Sequence, residues 1–209
     1  IPSSVTNMTE SFSNCSSLKS APRLHEGITT LEQAFEGCSS LGYVGDLPST
    51  LNSSSGLTST FEGCESLLVA PSIPEGVKYL DSTFKGCASL KATPYLPGSI
   101  MKLDSTFEDC ESLTEISALP DGITSMRSTF AGCSSLEEAP GFPSGVKNIY
   151  RVFAFCPNLR TARLIPSTVT DMRFAYYGCE AIRDLPDGYT IPVSDLKFYE
   201  DAYHVDPSQ

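Results

Sequence analysis

Eight cysteines stand at positions 15, 38, 64, 87, 110, 133, 156 and 179, so successive gaps are 23, 26, 23, 23, 23, 23 and 23 residues. A fixed period of this length marks stacked supersecondary units and outranks any local reading of the chain. Other positions keep the same beat. Three residues before each Cys sits an aromatic: Phe12, Phe35, Phe61, Phe84, Phe107, Phe130, Phe153 and Tyr176. Three after it comes an aliphatic, from Leu18 to Ile182. An apolar–Pro pair recurs upstream, as in Ile73-Pro74 and Leu96-Pro97, and only Leu24-His25 breaks it.

Spacing within one unit gives a physical reading. Val77, Leu80, Phe84, Cys87 and Leu90 lie 3, 4, 3 and 3 residues apart, which predicts one stripe of a short helix. Pro74 and Glu75 suit its first turn and Gly86 its exit. The following run from Leu90 to Pro97 is too rich in proline for a helix and reads as extended. One such coil buries too few side chains to stand alone, so stacking is obligatory and the chain is a solenoid. Parallel strands stack at about 4.8 Å whereas helices need about 8–10 Å, so strands belong inside the bend. The expected fold is an α/β repeat solenoid, a right-handed leucine-rich-repeat-like stack of 23-residue units. Short parallel strands line its concave side, and short helices or 3₁₀ segments its convex side.

The blocks Phe61-Glu-Gly63-Cys64-Glu-Ser66-Leu67 and Phe84-Lys-Gly86-Cys87-Ala-Ser89-Leu90 carry a recognisable pattern. With the Pro-terminated stretch that follows, they resemble the BspA-like (Treponema pallidum-type) bacterial leucine-rich repeats over about residues 1–187. The unit departs from the usual Leu-x-x-Ile-x-Ile-Pro: Leu67-Leu-Val-Ala70-Pro71-Ser-Ile73-Pro74 holds one more residue and an added proline. The resemblance implies a secreted or cell-surface bacterial protein used for adhesion or host contact, without enzymatic activity.

Two irregularities interrupt the beat. Leu51-Asn-Ser-Ser-Ser55-Gly56-Leu57 holds a three-residue insertion whose composition reads as a loop. After Pro186 the template fails, and solenoids need an atypical end to cover exposed core. The expected division is therefore a solenoid over 1–187 and a C-terminal cap over 188–209. The chain enters mid-repeat at Ile1-Pro2, which carries the expectation that more sequence precedes it.

Chemistry is sparse. Fourteen Lys and Arg against twenty-five Asp and Glu give a net charge of −11, which argues against a nucleic-acid or anionic-membrane binder. No apolar run approaches the ~18 residues needed to span a bilayer. The cysteine column reads as stacked small hydrophobes, with adjacent-coil disulfides the next option. A thiol-dependent enzyme or redox sensor is disfavoured, because no partner singles out one Cys among eight. CxxC spacing for zinc and an Asp-x-Asp-x-Asp-Gly loop for calcium are both absent, so no metal or other cofactor is expected. His25 and His204 read as surface residues, and the threonines before the aromatics as a hydrogen-bonding column. Recognition belongs on variable positions of the strand face, where Tyr43, Leu68, Val69, Tyr95, Glu137, Glu138, Arg160 and Leu164 are expected to emerge. The expected role is an extracellular protein–protein or adhesion module, with a host surface or matrix protein as partner. A passive spacer in a larger surface protein is the alternative.

Overall fold

Each unit closes into one coil, and Phe, Cys and Leu of one coil lie over the same residues of the next. We number the coils 1–8 by their cysteines, Cys15 to Cys179. The structure, a computed structural model, describes residues 1–51 and 56–182; the expected cap at 188–209 and His204 lie outside these residues.

The stretch predicted as a helix is not one. Coil 4 shows why. The amides of Thr83, Lys85 and Cys87 donate within the coil to the carbonyls of Leu80, Ser82 and Phe84. Those of Ser82, Phe84 and Gly86 donate instead to Asp104, Thr106 and Glu108 of coil 5, at 2.9, 3.0 and 2.7 Å. A helix keeps every N–H on its own axis; here alternate N–H groups turn to the next coil. That alternation needs left-handed backbone at Ser82 (φ 54°) and Gly86 (φ 70°), which interrupts any helical run. Among the described residues the segment is a chain of consecutive turns, with neither α-helix nor 3₁₀ helix. Val77, Leu80, Phe84, Cys87 and Leu90 nonetheless all point inward, each at most 1% exposed.

The predicted strands shrink to isolated parallel bridges flanking these turns. One column runs through Tyr79, Lys102, Ser125, Asn148 and Asp171; the other pairs Ser20 with Tyr43, Ala92 with Glu115, and Glu138 with Thr161. Pro94 and Pro140, two residues beyond Ala92 and Glu138, carry no N–H and cannot extend the ladder.

Packing follows from the stack. Rings of Phe12 through Phe153 lie parallel, centroids 5.4–5.8 Å apart and planes within 13°, and Tyr176 ends the column at 5.4 Å. Such pairs contribute about 0.5–1.5 kcal/mol each beyond area burial. The buried hydroxyls of Thr60, Thr83, Thr106 and Thr129 donate to the carbonyls of Leu31, Leu57, Leu80 and Leu103 in the preceding coil. All eight cysteines are free, and seven are buried. Each buried thiol donates to a Phe carbonyl of the preceding coil, as Cys87 does to Phe61 and Cys110 to Phe84, both at 3.2 Å. The thiol column is thus a hydrogen-bonding ladder as well as a stack of small apolar groups.

The insertion does not disturb this order. Leu51 and Leu57 are both buried, and Gln33 and Phe35 still donate to Thr58 and Thr60 beyond it. His25 departs from the surface reading. It is half-buried, its Nδ1 lies 2.6 Å from the Glu26 carbonyl, and its Nε2 is buried without a hydrogen-bond partner.

Candidate functional site

The second bridge column sets which side chains face outward after each Leu. The fifth residue beyond the Cys makes the bridge and the fourth precedes it, while the sixth (Val44, Thr93, Ala139, Ala162) turns into the core. Outward positions in coils 2 to 4 hold Tyr43, Leu68, Val69 and Tyr95, between 56% and 75% exposed. Leu68 and Val69 form one wall of a hollow of about 350 Å³, opposite Lys91, Ala92 and Pro94. Tyr43 lies at a separate notch of about 550 Å³, with Arg23, His25 and Asp46. Tyr95 and Leu164 are exposed but line neither hollow.

Coils 5 to 7 continue this face with charge. Glu137 and Arg160 pair with each other at 3.1 Å, so their charges offset one another. Both are exposed, and such a pair contributes at most about 1 kcal/mol. The backbone of Glu138 bridges Thr161 beside them. The predicted residues therefore separate into an apolar group on coils 2–4 and an internally paired charged group on coils 6–7.

Thiolate chemistry finds no support at Cys38, Cys64, Cys87, Cys110, Cys133 or Cys156. Burial pushes the Cys64 and Cys110 thiols up to about 12 and raises Cys38, Cys87 and Cys133 as well. Contact between the Cys156 and Cys179 thiols, and then burial, raises Cys156, while the same contact lowers Cys179. A thiol held protonated at neutral pH is a poor nucleophile. Among the described residues no cluster of three His, Cys, Asp or Glu side chains could hold a metal ion.

Sequence reasoning missed a second surface, on the turns of coils 6–8. Tyr150, Phe174, Tyr177 and Phe155 form a continuous edge-to-face chain with centroids 6.0, 5.8 and 5.3 Å apart. The guanidinium groups of Arg127 and Arg173 lie over Tyr150, and that of Arg151 over Phe155, at 5.7, 5.5 and 5.6 Å. The signal was present as exceptions to the repeat. Phe155 occupies a column that otherwise holds Asn, Asp or Gly, and Arg151 and Phe174 one filled mostly by Ser, all at positive φ.

Comparison with known proteins agrees with this architecture. The model for "BspA type Leucine rich repeat region" matches in six copies, over residues 1–104 and 57–183. A leucine-rich repeat protein from Bacteroides ovatus superposes with TM-score 0.73 at 25% identity, covering 89% of this chain and 48% of that one. The chain thus spans about half the length of that relative. The leucine-rich repeat protein of T. pallidum gives TM-score 0.61 at 28% identity, over 79% of this chain and 77% of that one. A leucine rich cell surface protein from Faecalibacterium prausnitzii shares the fold at 22% identity and TM-score 0.56, over 94% of this chain and 65% of that one. No curated protein matches the sequence.

Proposed function

We propose, from the premise that the chain belongs to the BspA-type leucine-rich-repeat family, that it is a non-enzymatic recognition module of a bacterial cell-surface or secreted protein. The family assignment supports a repeat-protein role, and the cell-surface description of the F. prausnitzii relative is extended here to this chain. The partner in this reading is a protein, of the host surface or extracellular matrix. It seats on the outward residues of coils 2–4.

One observation carries the reading. Tyr43, Leu68, Val69 and Tyr95 expose large apolar area on three consecutive coils, beside a hollow walled by Leu68 and Val69. Anchors of this type dominate binding energy where they fill a partner's pockets. Glu115 and Glu138 extend the face with negative charge and favour a partner with a basic rim.

The test is binding of the purified chain to immobilised matrix proteins and host cells, comparing wild type with Leu68→Asp/Val69→Asp and Tyr95→Ala. Affinity should fall at least about tenfold for the double substitution, with the thermal transition unchanged. Equal binding by all variants would move the contact off this face, and no binding by wild type would point to the spacer role instead.

A further inference from the structure

Charge is unevenly spread along this chain. Residues 122–170, most of coils 6 and 7, carry Arg127, Lys147, Arg151, Arg160 and Arg163 against Glu137 and Glu138. Five cations against two carboxylates give +3, so the remaining residues hold −14 of the total of −11. Arg160 is taken by Glu137, and Arg163 donates to the Ala139 carbonyl. Among the described residues the guanidinium groups of Arg127 and Arg151 make neither a hydrogen bond nor a salt bridge. Asp171 accepts the Arg173 guanidinium at 3.0 and 2.9 Å, which lowers its carboxyl first, and Arg127 adds a further pull. Asp109 is raised, by burial first and then by Glu108, while Lys85 and Arg151 oppose this. Arg127 and Arg151 lie instead over the rings of Tyr150 and Phe155, at 5.7 and 5.6 Å. A ring face holds the planar fork in place and leaves its N–H edge to an acceptor.

Two of these residues stand where the backbone disfavours them. Phe155 (φ 59°) occupies the column of Asn14, Asp109 and glycines such as Gly86 and Gly132, and Arg151 (φ 54°) that of Ser82, Ser105 and Ser128. Left-handed backbone is costly for a bulky side chain. Phe155 stays 49% exposed, so little burial offsets that cost, and strain kept without packing return points to function. The neighbouring coils limit what can bind. Coil 5 borders the patch with Asp104, Glu108, Asp109 and Glu111, and coil 8 with the Asp171–Arg173 pair. Two coils at about 4.8 Å each span about 10 Å, room for about three residues of extended chain at about 3.3 Å apiece. A long polyanion laid along the stack would run onto the carboxylates of coil 5.

We infer that Arg127 and Arg151, held by Tyr150 and Phe155, form a binding site for a short acidic segment of a partner polypeptide. One carboxylate sits on each guanidinium, and an apolar side chain lies on the exposed part of the Phe155 ring. Arg clusters read acidic motifs in this way, and the fork takes a carboxylate through two parallel N–H groups. Exposed Lys147, three residues before Tyr150, adds attraction at longer range. The site is separate from the outward residues of coils 2–4 and does not depend on the reading given for them.

Fluorescence anisotropy of labelled hexaglutamate with the full chain tests the site. Wild type should bind it at about 0.05 M salt and at least about tenfold more weakly at about 0.5 M. Arg127→Gln/Arg151→Gln should lower affinity at least about tenfold at the lower salt, with the melting transition unchanged. Phe155→Asn installs the residue type that Asn14 shows the column accepts. It should weaken binding about threefold while the protein melts no lower. Leu68→Asp/Val69→Asp, on the other face, should bind hexaglutamate within about twofold of wild type. Wild type that fails to bind hexaglutamate overturns the proposal, as does binding that survives the double arginine substitution. Tighter binding of dextran sulfate, or of a single-stranded oligodeoxynucleotide, would overturn it in favour of a general polyanion surface. A lower melting transition in Phe155→Asn with unchanged binding would make that ring structural and overturn its part in the site.

Discussion

Glycine and aspartate share one column of this molecule, and their order along it is a steric matter. Gly86 sits at φ 70° with 3.5 Å between an added Cβ and Gly63, so Gly86→Ala meets only the left-handed penalty. Urea unfolding should show a loss of about 1–2 kcal/mol. Gly132, at φ 74°, has the Asp109 carboxylate where its Cβ would stand. Gly132→Ala should cost about 1 kcal/mol more than Gly86→Ala, and Asp109→Gly should remove that excess. Phe155 likewise precedes Gly178, and Asn14 precedes Gly37, so a side chain in this column is followed by none. Asp81 makes a different prediction. Its folded carboxyl is raised, chiefly by burial, so the folded state binds that proton more tightly than the unfolded chain. The resulting destabilisation is absent below the unfolded carboxyl range and appears as pH rises through the folded one. Asp81→Asn should therefore stabilise at pH 7, by less than about 1 kcal/mol for a half-buried group, and the gain should vanish near pH 4 in thermal melts. Asp171, lowered first by its hydrogen bond from Arg173, has the opposite sign: its contribution is lost on acidification.

At the level of the coil, the aromatic column and the thiol ladder do separate work. Phe107→Ala removes a ring stacked on both Phe84 and Phe130 at 5.6 and 5.8 Å, and should cost about 3–5 kcal/mol in denaturant unfolding. A disulfide-exchange reagent added to native protein should modify exposed Cys15 first, and Cys38 through Cys156 only on unfolding. Rapid reaction of those interior thiols in the native state would contradict the packing. These inward residues were legible from the sequence because their period survives any backbone that repeats every coil. The element type was not legible, since spacings of 3 and 4 suit consecutive turns as well as a helix. What separates the two is the donation of alternate amides to a neighbour 22 residues on, as Ser82 and Phe84 show, and a single-coil reading contains no neighbour. The prolines that cut the strands to single bridges were visible, yet their consequence depended on register. On the outer faces, exposure of Tyr43, Leu68, Val69 and Tyr95 followed from position. The mutual pairing of Glu137 with Arg160 needed the lateral register between coils. The Arg–aromatic turn surface needed attention to departures from the repeat, which a search for its regularities passes over.

For the molecule as a whole, stability is a sum over coils and the interfaces between them. Among the described residues that sum is uneven: Phe12 is only partly buried and Cys15 is exposed, whereas Phe84, Cys87, Phe107 and Cys110 are fully enclosed. Amides of 84–110 should exchange with solvent at least about tenfold more slowly than those of 8–18 when followed by mass spectrometry. Uniform protection from end to end would show that the stack unfolds only as one unit. Each coil hands its successor the same backbone groups that it receives from its predecessor, and the ladder keeps that exchange even across the three-residue insertion. Misaligned recombination between neighbouring repeats of the gene can therefore lengthen or shorten the protein by whole coils while every new junction finds a partner already fitted to it. Reach is set by copy number, and the outward columns are left to diversify.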